Sequence, residues 1–242
     1  KSPSRLPALF GGAVFCYHEQ MDFLLSSFMA VVAQGHSMYC ETAASYWLNI
    51  ISNVAHIAAA YFAYRYLITN KIKTKLLFIL TLLVFLIGIG STLWHAFPMP
   101  LTDFADSFPI GLFAFLTTYV LFQKVVPHKV LVFGMLLFVT VFILLLEPLH
   151  LLQGSFPYIV ILTVLAGILI KIKQKHQKIP SLWISVLVLF GIAILFRTID
   201  FVACDLFDVG THFIWHILMA ITCYLGIRFL TEVERLGYES KD

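Results

Sequence analysis

The sequence predicts an all-α membrane protein, a bundle of seven transmembrane helices with its N-terminus outside and its C-terminus in the cytoplasm. The first observation is composition: 60% of residues are hydrophobic, 12% are charged and the mean hydropathy is +0.92. Soluble domains carry about a quarter charged residues. The other two observations are the lengths of the apolar runs and the distribution of basic residues between them.

Seven apolar runs, bounded by charged residues, proline or glycine, approach the length of a membrane span. A helix needs about 20 apolar residues to cross a hydrocarbon core of about 30 Å. The runs cover residues 44–67, 76–96, 108–122, 130–146, 156–170, 182–199 and 212–230. We therefore expect one membrane domain over residues 44–230.

The segments on either side of this domain receive their own predictions. Residues 1–43 form an N-terminal non-cytoplasmic segment, and residues 231–242 form a cytoplasmic tail. Within the first segment, the apolar run 21–34 is short for a span and favours an interfacial helix. If that run were a span, the topology would shift.

Basic residues determine the predicted orientation, because Lys and Arg concentrate in short cytoplasmic loops. Thirteen of the sixteen follow the first, third, fifth and seventh runs, whereas most carboxylates lie on the opposite side. The net charge of +3 thus reflects topology and indicates no nucleic-acid partner. The partners we expect are the membrane and a lipid.

Five polar side chains near the outer ends of the predicted helices form a candidate site: Ser91, His95, Asp106, His212 and His216. Such groups cost several kcal/mol inside a membrane, so their presence here suggests a functional site. His95 lies about 30 Å beyond the inner end of the second span, at about 1.5 Å per residue. Asp106 precedes the third span and His212 opens the seventh, so we expect all five at one depth.

Helical spacing favours a metal site. His212 and His216 are four residues apart and share a helix face, and Ser91 and His95 repeat this spacing. Three imidazoles leave a fourth tetrahedral position for water, as in a catalytic zinc site. Zinc acidifies such a water, whose proton Asp106 could take during attack on a carbonyl. Ser91 could donate a hydrogen bond to the oxyanion.

Each residue also has an ordinary structural explanation. A lone histidine at a helix end is commonly an interfacial side chain. Ser91 could bond its own helix backbone, or allow close packing beside Gly88 and Gly90. Asp103 and Asp106 could cap the third span. Five suitable side chains at one depth, with two pairs at helical spacing, favour the functional explanation.

These residues also carry a family resemblance. Ser-x-x-x-His ends the second span, Asp follows that His by eleven residues, and His-x-x-x-His opens the seventh span. This pattern resembles the CREST superfamily of seven-span hydrolases, which includes alkaline ceramidases, PAQR receptors and enzymes that remodel GPI lipids. The chain looks most similar to the alkaline ceramidases. Supporting fragments are GIGSTLWH, Tyr39-Cys40-Glu41, Ser52-Asn53, Asp200-x-x-x-Cys204 and His212-x-x-Trp215-His216.

The resemblance implies a role for each of the five residues. His95, His212 and His216 would bind zinc, Asp106 would transfer protons and Ser91 would stabilise the oxyanion. The implied reaction is hydrolysis of the ceramide amide to sphingosine and a fatty acid. It would occur on the non-cytoplasmic side of a bacterial inner membrane, an endomembrane or a plasma membrane.

The resemblance also bears on cysteines and calcium. It implies a disulfide between Cys40 and Cys204, both of which the topology places outside, whereas Cys16 and Cys223 would be buried or free thiols. The chain departs from the family's calcium-binding acidic motif, of which only Glu41 remains. Calcium takes six to eight oxygen ligands, so no family-type calcium site is expected.

The sequence leaves three functions open. The first is a zinc-dependent amidase acting on ceramide or a related N-acyl lipid, with ester lipolysis as a near variant. The second is a PAQR-like receptor whose zinc site serves signalling. The third is a transporter or haem-binding electron carrier with paired membrane histidines. Three histidines beside a serine and an aspartate favour hydrolysis.

Overall fold

The computed structural model describes residues 39–40, 42–126, 128–146 and 151–237. Within these ranges the regular secondary structure is entirely α-helical, as the sequence predicts. The predicted interfacial helix at 21–34, the acidic residue Glu41 and the end of the predicted cytoplasmic tail lie outside the described residues.

Eight helices follow one another in the described part of the chain. They are α1 (Ala43–Ser52), α2 (Val54–Thr69), α3 (Lys75–Ala96), α4 (Pro100–Gln123), α5 (Lys129–Leu146), α6 (Phe156–His176), α7 (Leu182–Cys204) and α8 (His212–Arg235). Five of them, α3, α4, α6, α7 and α8, are long and apolar enough to cross a membrane. The chain is thus a multi-pass membrane protein.

The first predicted span is two helices, because the α-helical hydrogen-bond pattern breaks at Asn53. The backbone N–H of Asn53 donates to the carbonyls of Ile50 and Ile51, and not to that of Asn49 four residues before it. The predicted span over 44–67 therefore contains two helices. The break leaves a carbonyl of α1 available to side chains.

Helix α4 begins eight residues before the predicted start of the third span. Pro100 occupies its first turn, where a missing N–H costs nothing. The Thr102 hydroxyl accepts the Met99 N–H at 3.1 Å and donates to the Phe97 carbonyl at 2.7 Å. Asp106 is therefore a helical residue in the second turn of α4, and the expectation that it precedes the helix is wrong.

Helices α3 and α8 form the centre of the bundle. Helix α3 packs against α2 and α4, and α8 packs against α2 and α7. Their core side chains, such as Leu80 and Ile227, are fully buried. Apolar side chains on peripheral α5, such as Phe138 and Leu145, are each 72% exposed, which suits contact with lipid. The two central helices carry the candidate ligands.

Candidate metal centre

Three imidazoles from the two central helices meet inside the bundle. His95 lies in the last turn of α3, His212 is the first residue of α8 and His216 lies one turn further. One ring nitrogen from each falls within 4.8 Å of the others, and each residue is at most 3% exposed. This group can hold a metal ion. Among the described residues, these three form the one group of histidine, cysteine or carboxylate side chains close enough together to share a metal ion.

One ring nitrogen of this group, in His212, lacks a hydrogen-bond partner among the described residues and suits a metal. That atom, Nδ1, is buried. An unpaired polar atom in such surroundings costs about 1–3 kcal/mol, which coordination would remove. Imidazole nitrogen is a preferred donor for zinc, copper, iron and nickel, and three such donors suit a four-coordinate zinc with one open position.

Asp200 places His212 by holding the start of α8. Its carboxylate accepts the backbone N–H groups of Thr211 at 2.5 Å and His212 at 2.8 Å. A carboxylate at a helix N-terminus is stabilised by the unpaired N–H groups and the helix dipole. The same side chain accepts the Cys40 N–H at 2.7 Å. One buried carboxylate thus connects the segment before α1 to the first candidate ligand of α8.

A disulfide and a glycine reinforce this junction. The structure joins Cys40 to Cys204, the pairing that the resemblance implied, and leaves Cys223 as a buried free thiol. Cys16 lies outside the described residues. Gly210 has a φ of +56°, and a Cβ there would lie 2.4 Å from Asp200 Oδ1. Only glycine fits both that backbone conformation and that space.

Ser91 and Asp106 meet because α3 and α4 make a close backbone contact. A Cβ on Gly90 would lie 2.1 Å from the carbonyl oxygen of Ala105, so no larger residue fits. Ser91 and Asp106 are the next residues on the two helices. The Ser91 side chain is a hydrogen-bond partner of the Asp106 carboxylate, and His95 lies close enough to interact with its charge. The Oδ1 atom of Asp106 is buried without a hydrogen-bond partner among the described residues.

All five predicted site residues line one small cavity of about 30 Å³, which is enough for a water molecule or two. Its walls are otherwise mainly apolar and aromatic, with Ile87, Trp94, Ile110, Trp215 and Met219 among them. His56, which sequence reasoning treats as a packing group, also borders this cavity, and its ring centre lies 6.5 Å from that of His216. The cavity therefore combines polar groups with apolar and aromatic walls.

Sequence reasoning missed Arg197, a buried cation at the edge of the cavity. Its guanidinium donates to the Gln153 carbonyl at 2.7 Å, to Ser155 Oγ at 3.1 Å and to the Tyr39 hydroxyl at 2.7 Å. Charge inside a membrane is costly unless it is satisfied in this way. The signal in the sequence is the single arginine that interrupts the apolar run of α7.

Aromatic rings surround the same cation. The guanidinium carbon lies 5.0 Å from the ring centre of Tyr158 and 5.8 Å from that of Trp215, within range of cation–π attraction. The Tyr39 ring contacts that of His212, with ring centres 4.0 Å apart and the two planes tilted by 38°. Burial raises the pKa of the Tyr39 phenol, so the ring beside His212 is neutral. Arg197 and Tyr39 thus form one wall of the site.

Comparison with known proteins assigns the family. No curated protein matches the chain. The family model for ceramidases matches residues 36–242, which is most of the chain and includes every candidate site residue described above. The chain therefore belongs to the ceramidase family.

Proposed function

We propose that this protein is a zinc-dependent membrane hydrolase that cleaves the amide bond of ceramide or a related N-acyl lipid and releases a fatty acid. The observation that supports it most strongly is the single cavity lined by His95, His212, His216, Ser91 and Asp106. Membership of the ceramidase family supports an amidohydrolase acting on a lipid. Three imidazole donors support zinc.

We also propose seven membrane crossings, with α1 and α2 together forming the first. The two helices contain 10 and 16 residues. At about 1.5 Å per residue, the pair is long enough for a crossing of about 30 Å. The distribution of basic residues then places the cavity in the non-cytoplasmic half of the membrane.

The reaction transfers the acyl group from nitrogen to water. When bound, zinc supplies Lewis-acid polarisation of the scissile carbonyl and of water. Asp106 accepts a proton from the attacking water while the water oxygen bonds to the carbonyl carbon. Ser91 donates a hydrogen bond to the carbonyl oxygen as negative charge develops on it.

The second half of the reaction breaks the C–N bond. Asp106 returns its proton to the leaving nitrogen, so the amine departs neutral and the acyl group leaves as a fatty acid. The apolar walls of the cavity keep bulk water away and strengthen each electrostatic contact. The chain's residues therefore provide one proton carrier and one oxyanion donor beside three metal ligands.

The direct test is lipid mass spectrometry on the purified full chain in lipid nanodiscs. The zinc-loaded protein should convert ceramide into equal amounts of sphingoid base and fatty acid, with one oxygen from ¹⁸O-labelled water in the fatty acid. Zinc removal should stop the reaction and zinc return should restore it. Cleavage of ester lipids alone would reject the amide assignment. A zinc-loaded, folded protein that cleaves no lipid in the panel would reject the hydrolase assignment.

A further inference from the structure

The helix break at Asn53 leaves the carbonyl of Asn49 available to side chains. In a continuous helix that carbonyl would accept the Asn53 N–H, which bonds elsewhere here. Two side-chain donors take its place: Ser52 Oγ donates at 3.1 Å and Asn53 Nδ2 donates at 2.9 Å. The break thus gives the Ser52 hydroxyl a backbone acceptor for its proton.

The same hydroxyl contacts a candidate metal ligand on another helix. Ser52 Oγ lies 2.8 Å from Nδ1 of His216. A hydroxyl has a single proton, and the Asn49 carbonyl is within reach to accept it at 3.1 Å. In that arrangement Ser52 Oγ accepts a hydrogen bond from His216, and Nδ1 carries the imidazole proton.

The proton on Nδ1 decides which ring nitrogen is left for a metal. With Nδ1 protonated, Nε2 carries the lone pair, the form in which a neutral imidazole binds a metal through Nε2.

We propose that Ser52 is a positioning residue that fixes the tautomer and ring orientation of His216 for metal binding. This role rests on the metal-dependent function proposed above. Groups that accept the second N–H of a metal-bound histidine hold the ring in place and raise its basicity, and their removal typically weakens metal binding about 10- to 100-fold. Ser52 acts through His216 and does not itself bind the metal.

Three variants of the full chain test the proposal. Ser52→Ala removes the acceptor, whereas Ser52→Thr keeps a hydroxyl at the same place. Thr222→Val is the matched control, because Thr222 is a buried residue of the ligand helix α8 whose hydroxyl donates to the Leu218 carbonyl. Zinc affinity is measured by competition with a chelator, and the cobalt-substituted proteins are compared by visible absorption.

We expect Ser52→Ala to bind zinc about 10- to 100-fold more weakly and to change the cobalt spectrum. Ser52→Thr and Thr222→Val should retain wild-type affinity and spectrum. Thermal unfolding of the metal-free proteins separates this effect from a general loss of stability.

Wild-type zinc affinity and an unchanged cobalt spectrum in Ser52→Ala would overturn the proposal, even if that variant unfolds at a lower temperature. Equal loss of affinity in Ser52→Ala and Ser52→Thr would also overturn it, because the hydroxyl would then be irrelevant. A wild-type protein that binds no zinc would instead reject the metal-dependent function, and with it this role.

Discussion

Asp200 accepts the backbone N–H of His212 at 2.8 Å, so the carboxylate near the end of α7 holds the first residue of α8. The same carboxylate accepts an N–H from Cys40, which is 160 residues away in the sequence. The position of the His212 ring therefore depends on a side chain that does not contact the metal cavity.

Asp200→Asn should destabilise the protein and weaken metal binding. Asparagine has one acceptor oxygen. Either the Cys40 N–H or the N–H groups of Thr211 and His212 would then face an NH₂ and lose their partner. A hydrogen bond to a charged group contributes about 1.5–3 kcal/mol, so we expect a loss of that order in unfolding free energy. Thermal unfolding and zinc content would measure it. The exposed Asp205→Asn is the control, and equal behaviour of the two variants would contradict the expectation.

Gly90→Ala should disrupt the contact between α3 and α4, because the new Cβ would lie 2.1 Å from the Ala105 carbonyl oxygen. Separation of the helices would move Ser91 away from Asp106. We therefore expect both the turnover rate and the free energy of unfolding to fall. Gly226→Ala is the matched control, since a Cβ there meets nothing within 4 Å. The control should be neutral or gain up to about 1 kcal/mol from helix propensity. Wild-type activity in Gly90→Ala would refute the prediction.

Asp106→Asn should abolish most turnover while zinc remains bound. The variant keeps the shape of the side chain but cannot take a proton from water, and general-base catalysis typically contributes about 10²–10⁴-fold. Mass spectrometry of the products tests the loss of turnover, and elemental analysis of zinc per chain tests whether zinc remains bound. Asp103→Asn, one turn earlier on α4 and exposed, should stay active. Near-normal hydrolysis by Asp106→Asn would reject its role as proton carrier.

His216→Ala should lose most of the bound zinc, which we expect at about one per chain in the wild type. Two remaining imidazoles are too few ligands for a tight four-coordinate site. His56→Ala removes another buried imidazole beside the same cavity and should retain its zinc. Elemental analysis of both variants therefore separates loss of a ligand from loss of a buried ring. Full zinc retention by His216→Ala would remove His216 from the ligand set.

Mutation of either half of the disulfide should destabilise the protein equally. Cys40→Ser and Cys204→Ser remove the same bond, and loss of a native disulfide typically costs about 2–5 kcal/mol. The double variant should be no less stable than the singles, as measured by thermal unfolding. Reducing agent should lower the unfolding temperature of the wild type and leave the double variant unchanged. Additive losses in the double variant would mean that each cysteine acts separately.

Apolar length predicts where the helices lie, because the thickness of a membrane determines the length of each run. The break at Asn53 could not be predicted in this way, since the length of an apolar run does not show where backbone hydrogen bonds change partner. The start of α4 at Pro100 was hidden because Asp103 and Asp106 resemble loop residues. A helix tolerates them here since Asp106 packs against α3.

Helical spacing predicts the histidines of α8, because residues four apart share a face. Residues that support the site could not be found by spacing, since their partners are distant in sequence. Ser52 contacts His216 across 164 positions, and Arg197 donates to Tyr39 across 158. Asp200 appears in the sequence only as part of a family fragment, and its role follows from contacts that folding creates.

The bond between Cys40 and Cys204 makes α1 through α7 a closed covalent ring. A protease cut at residues 177–181, between α6 and α7, would open this ring without releasing a fragment. His95 would then lie on one piece and His212 on the other, yet both pieces would migrate as one molecule until the disulfide is reduced. Under oxidising conditions, a nicked chain therefore keeps His95 and His212 in one covalent molecule.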